Sequence, residues 1–150
     1  MRVSRGDRGS MAVELVVAAP AFIALLLLIG AGGQWVSASG EVGGAARDAA
    51  RQASLELSFT QAQSAARSVA QADLNNLCPG TAQAAVSLLE NGKQVGRGAW
   101  ANGQGVEVDV EVTVSCTVNL KAFSMIGIPT SQTFSDDAAA PLDPFSQRTS

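Results

Sequence analysis

Histidine and tyrosine are both missing from this 150-residue chain. Without histidine the commonest general base, the commonest metal ligand and the His-dependent catalytic triads are gone. Aromatic residues are scarce at 5%, although 47% of the chain is hydrophobic, so the apolar share consists largely of Ala and Val. A core built from such small side chains is thin and needs reinforcement. Charge is sparse as well: ten Lys and Arg against 13 Asp and Glu give a net charge of −3 and a pI near 4.8. The basic residues are scattered, which excludes the clustered cationic surface that binds phosphates, and no nucleic acid partner is expected. Two cysteines without histidine are too few for a metal centre, and they do not form a CxxC redox pair. Neither a cofactor, a metal nor catalysis is expected, because no recognisable nucleophile motif is present. The length suffices for one modest domain besides any anchor.

Against these absences stands one long apolar run. Ala12 to Gly33 reads AVELVVAAPAFIALLLLIGAGG, and Glu14 is its only charge. A helix crosses the hydrocarbon core of a bilayer in about 20 residues. Arg2, Arg5 and Arg8 precede the run against a single Asp7, so this flank is expected in the cytoplasm and the rest of the chain outside. Trp35 falls at the outer interface. A cleaved secretory signal is the rival reading, but the run is longer than a usual h-region, carries an acid, and has its Ala-rich Ala18-Ala19-Pro20 before its most apolar part, Ala21 to Ile29. Pro20 removes one backbone donor and is expected to kink the helix.

Helical spacing continues beyond the run, with Val42, Ala45, Ala46, Ala49 and Ala53 on one face and Glu41, Arg47, Asp48 and Arg51 largely off it. That face of small residues suits close approach, either by another helix or by the domain's own sheet. Gly30, Gly32, Gly33, Gly40, Gly43 and Gly44 are expected to weaken the helix near the membrane exit. A second helix is expected from about Phe59 to Leu77, with Thr60 and Gln63 as a capping box and Ala62, Ala66, Val69, Leu74 and Leu77 on one side; Cys78-Pro79-Gly80 ends it.

Strands follow. Val86–Glu90 and Lys93–Val95 flank Asn91-Gly92, the dipeptide of a type I′ hairpin turn. From Val106 to Leu120 the sequence VEVDVEVTVSCTVNL alternates strictly, giving one buried face of Val, Cys and Leu and one wet face. Its acidic row, Glu107, Asp109 and Glu111, is spaced too widely along a strand to chelate one calcium ion and reads as a solvated face that discourages edge pairing. Ser124–Ile128 is read as an apolar loop that serves either the core, the preferred reading, or a partner contact, and Thr130–Ser135 as a last strand. Asp136–Ser150 is expected to be a flexible tail. In an oxidising compartment Cys78 and Cys116 can join, which on the chain-entropy model stabilises a small domain by about 3–4 kcal/mol. The expected fold class is α+β: an N-terminal transmembrane helix continuing into a small-residue amphipathic helix, a second helix, then a small antiparallel sheet. The boundaries are a cytoplasmic leader at 1–9, the membrane helix at 10–36, an extracytoplasmic domain at 37–135 and the tail at 136–150.

Glu14 has two readings. It lies close enough to the cytoplasmic end to reach the headgroups, or it waits for a positive partner inside the membrane, where an ionised group costs about 2.5–3.5 kcal/mol at the helix centre. Arg8-Gly9 is followed by Ser10-Met11-Ala12-Val13-Glu14 and the apolar run, so Glu14 is fifth counting from Ser10. This start resembles the class III signal of type IV pilin-like proteins. With GGAARDAARQA after the membrane, the alternating Val strand with its Cys, and the closing SDDAAAPLDPF, the chain resembles TadE-like proteins of the tight-adherence (Flp) pilus system, although Ser10 stands where type IV pilins usually carry Phe. The resemblance implies a pilin-like fold and cleavage between Gly9 and Ser10 by a prepilin peptidase that leaves the helix in the membrane. It also implies pairing of Glu14 with the Ser10 amine of a neighbouring subunit, and partners among other pilins or pseudopilins and the pilus assembly platform. The alternative is an uncleaved single-pass protein of the cell envelope whose exported domain recruits a partner.

Overall fold

Alternating valines and methyl-sized helix faces dictate an antiparallel sheet with helices packed on one side, and the computed structural model has that architecture. It describes residues 7–102, 107–119, 131–143, 145, 146 and 148, and the side chains of these apart from 7–13 and 102. The elements are α1 (Asp7–Ser54), α2 (Phe59–Asp73), β1 (Gln83–Glu90), β2 (Lys93–Val95), α3 (Ala99–Asn102), β3 (Val108–Asn119) and β4 (Ser131–Pro141). Two compact units divide the chain, residues 1–36 and residues 37–150.

The first unit is the N-terminal part of α1. Its large apolar side chains, Leu15 to Val36, are exposed around the whole helix, a surface suited to lipid rather than to water. An 18-residue window reaches a mean hydropathy of 2.5, so the helix is a candidate membrane span. Pro20 lies inside it, and α1 also runs uninterrupted through the six glycines from Gly30 to Gly44. The expected local weakening leaves no break in the helix, since a glycine removes side-chain contacts but keeps the backbone donor and acceptor of the ladder.

In the second unit the α1 residues Ala38, Val42, Ala45, Ala46, Ala49, Ala50 and Ala53 are buried and share one core cluster with Phe59, Ala62, Ala66, Ala70 and Leu74 of α2 and its cap. The cap of helix α2 falls two residues before the expected Thr60: it is Ser58, whose hydroxyl accepts from the Gln61 N–H at 3.3 Å. The helix ends at Asp73 rather than Leu77, because the chain tightens at Leu74, where Leu77 and Cys78 both donate to its carbonyl. Asn75 and Asn76 are poor helix formers, and the turn carries Cys78 towards the sheet.

Four antiparallel strands are ordered β2-β1-β3-β4. The hairpin forms as expected: Glu90 pairs with Lys93, and Asn91 and Gly92 have φ of 51° and 72°, the left-handed values a type I′ turn requires. In β3 every even-numbered residue from Val108 to Val118 is buried, while odd-numbered neighbours are half-buried or exposed. Val106, Leu120, Thr130 and the apolar loop Ser124–Ile128 lie outside the described residues. The acidic row is not a guard of a sheet edge, because β3 is an interior strand paired to β1 and β4.

The expected last strand ends at Ser135, but β4 continues to Pro141 and pairs along the length of β3 from Asn119 to Asp109. Residues 136–141 are therefore strand, not tail. Phe134, Ala138, Ala140 and then Leu142 face the core from this strand, and the Leu142 N–H donates to the Val108 carbonyl at 2.9 Å. Backbone pairing with an already rigid strand outweighs the low β-propensity of Asp and Ala.

Candidate functional site

The residues singled out by the sequence fall in two places. Gly9, Ser10 and Glu14 all lie in the first turns of α1, and Glu14 is exposed. From Glu14 to Trp35 the 21 helical steps rise about 32 Å, close to the thickness of a bilayer's hydrocarbon core of about 30 Å. Glu14 and the half-exposed Trp35 therefore stand about one hydrocarbon thickness apart along the helix. Ser10 precedes Glu14 by four residues, about one helical turn.

Cys78 and Cys116 form a disulfide, with Cα atoms 6.0 Å apart and both side chains buried. The bond ties the turn after α2 to the central strand. Beside it the Thr81 hydroxyl donates to the Thr117 carbonyl at 3.2 Å, so the segment entering β1 is held at two points.

A second anchor escaped the sequence. Trp100, on the single turn of α3, is 2% exposed and is among the largest fully buried side chains. Its indole N–H donates to the Leu57 carbonyl at 3.2 Å, and its ring meets Phe59 edge-on with centroids 5.7 Å apart. The Arg148 guanidinium stacks on Trp100 at 5.1 Å and donates to the carbonyl of Ser54, the last residue of α1, at 3.3 Å. A cation there complements the negative end of the helix dipole. Burial pushes the Arg148 pKa down and nearby Asp143 raises it. A lone Trp in a Gly- and Asn-rich segment was the available signal, since an indole is seldom left in solvent without a partner.

The acidic row offers no chelating geometry. Glu111 accepts from the Ser87 hydroxyl at 2.9 Å, and Glu107 is exposed beyond the strand. Among the described residues no group of three or more potential ligands converges on one point. The described residues comprise a charge-bearing apolar helix and a disulfide-tied α+β domain.

This architecture defines a class: single-helix candidate membrane proteins with a small α+β domain. Within it, residues 9–51 match the family model for TadE-like proteins, which agrees with the resemblance carried by the N-terminal motif. The match starts at Gly9, includes Glu14, and extends through most of the small-residue face of α1. Neither a curated protein nor a solved structure matches the chain. Similarity to TadE-like proteins over this segment points to tight-adherence pilus assembly.

Proposed function

We propose that the protein is a minor pilin or pseudopilin of a Flp-type pilus or a related secretion apparatus, without catalytic activity of its own. The family match over residues 9–51 carries this reading, because it spans the junction, the acid and the helix that such a role needs. In this reading residues 1–9 are a cytoplasmic leader, residues 10–36 span the membrane, and the domain from residue 37 is extracytoplasmic. A prepilin peptidase cuts between Gly9 and Ser10. The new Ser10 ammonium of one subunit is then held by the Glu14 carboxylate of a neighbour.

Physical chemistry supports this division of labour. An ammonium at a helix N-terminus faces the positive end of the dipole, so it gains by meeting a carboxylate on an adjacent helix. In low dielectric such a pair is stronger than in water, and each partner offsets the desolvation of the other. The exported domain contributes no reacting group to this step. Its oxidised cysteine pair suits an extracytoplasmic location.

Intact-mass measurement of the chain extracted from membranes that contain a prepilin peptidase tests the proposal. A mature N-terminus at Ser10 is the expected result. Retention of Met1 or Arg2 would instead support an uncleaved, anchored binding module of the envelope.

A further inference from the structure

The dipeptide that turns the β1–β2 hairpin also carries the means of its own modification. A two-residue type I′ turn needs positive φ at both positions, which Asn91 and Gly92 supply at 51° and 72°. The same pair sets a side-chain amide next to a backbone nitrogen whose residue has no Cβ to shield it. Asn91 and Gly92 are both exposed, and a Cβ built on Gly92 would meet no atom within 4 Å, so there is room beside the backbone for a ring to close. The pair Glu90 and Lys93 closes the turn, which leaves the Gly92 N–H outside the ladder.

Little structure holds this turn. β2 is an edge strand of three residues, and its pairing with β1 extends only from Glu90 and Lys93 to Leu88 and Val95. Lys93 and Gln94 are exposed and Val95 is half-buried. A ladder this short, with one partly buried apolar side chain, opens locally at small cost. Opening releases the Asn91 backbone from the turn and brings the Gly92 nitrogen within reach of the Asn91 carboxamide.

We propose that Asn91 is a site of spontaneous covalent modification, with water as the co-reactant, that makes the turn acidic and, in one of its two products, loosens β2. The Gly92 backbone nitrogen gives its proton to base and attacks Cγ of Asn91. An N–Cγ bond forms, the Cγ–Nδ2 bond breaks, and Nδ2 takes up a proton and leaves as ammonia. Water then opens the resulting succinimide at either carbonyl. Attack at Cγ gives Asp at position 91 with the ordinary backbone. Attack at the main-chain carbonyl gives an isoaspartyl residue, in which the chain runs through Cγ and gains one backbone carbon. Asp-Gly also forms a type I′ turn, so the first product keeps the hairpin. The lengthened loop of the second no longer meets the stereochemistry of a two-residue turn, so the register of β2 is lost. Gln94 and Val95 of β2 form one wall of a groove of about 210 Å³ whose other side includes Phe59 and Gln63 of α2, and fraying of β2 widens it. This inference goes beyond the pilin reading and does not depend on removal of the leader.

Peptide mapping of the full chain, aged in detergent micelles in warm, mildly alkaline buffer and then reduced and cut with trypsin, tests the proposal. The peptide Ser68–Lys93 carries Asn75 and Asn76 as well as Asn91, so it contains its own controls. Asn91 is expected to gain one mass unit at least tenfold faster than either, because only Asn91 precedes a residue without a Cβ. The rate is expected to rise with pH, since the attacking nitrogen must lose its proton, and both the aspartyl and the isoaspartyl peptide are expected on chromatography. Amide hydrogen exchange of β2 should be about tenfold faster in the isoaspartyl fraction and unchanged in freshly prepared Asn91→Asp. An Asn91 that stays unmodified, or changes no faster than Asn75 and Asn76, overturns the proposal. So does aspartate without isoaspartate, which means direct hydrolysis without the ring, or β2 exchange that is the same in the isoaspartyl fraction as in the unmodified chain. None of these results bears on a terminus at Ser10, so the pilin reading stands or falls separately.

Discussion

Reduction of Cys78–Cys116 is the perturbation whose size the structure constrains best. The bond closes a loop of sequence separation 38. The chain-entropy relation gives a loss of about 13 cal/mol/K in the unfolded chain, or about 4 kcal/mol at 25 °C. A domain of this size is stable by only about 5–15 kcal/mol, so the loss is a large share. The buried helix surface is mostly Ala, which brings little apolar area per residue, and the cross-link acts where packing is thin. Reduction leaves every side chain in place, unlike substitution, and adds no cavity. Urea unfolding of oxidised and reduced protein, followed by near-UV dichroism, reads the difference. With a slope of about 1.5 kcal/mol per M the midpoint should fall by roughly 2–3 M. A fall below roughly 0.7 M, equivalent to about 1 kcal/mol, would refute the reasoning and show that the reduced chain is already constrained in its unfolded state.

Three further outcomes are expected. Val112→Ala removes two methyl groups from a fully buried position in the interior strand and should cost about 2–3 kcal/mol in the same unfolding assay. Trp100→Phe keeps most of the apolar contact but loses the bond to the Leu57 carbonyl and weakens the stack with Arg148; a loss of about 1–2 kcal/mol is expected, with the transition still cooperative. Glu14→Gln removes the carboxylate without changing its length, so membrane insertion should persist in fractionation while incorporation into the assembled organelle is lost; unchanged incorporation would sink the role assigned to Glu14.

Some elements were legible because their information is local. The hairpin at Asn91-Gly92 follows from backbone sterics alone, and the alternation from Val108 to Val118 declares which face of β3 is buried whatever lies on it. The helix caps were less legible: Ser58 competes with Thr60 two residues on, and only the entry angle of the chain decides which hydroxyl meets a free N–H. At the candidate site the spacing of Gly9, Ser10 and Glu14 is a feature of the chain itself, whereas Trp100 gained significance only when Leu57, Phe59 and Arg148 gathered round it.

By itself the sequence determined an apolar helix with one acid, an Ala-faced continuation, a hairpin and a strand with one dry side, since each depends on hydrophobic period or turn stereochemistry within a few residues. Tertiary structure decided that β3 lies inside the sheet, that Asp136–Pro141 joins it as strand, and that Arg148 returns to the end of α1. These outcomes depend on contacts between residues far apart in the chain, where a rigid partner already in place overrides the weak local preference of Asp, Ala and a polar tail.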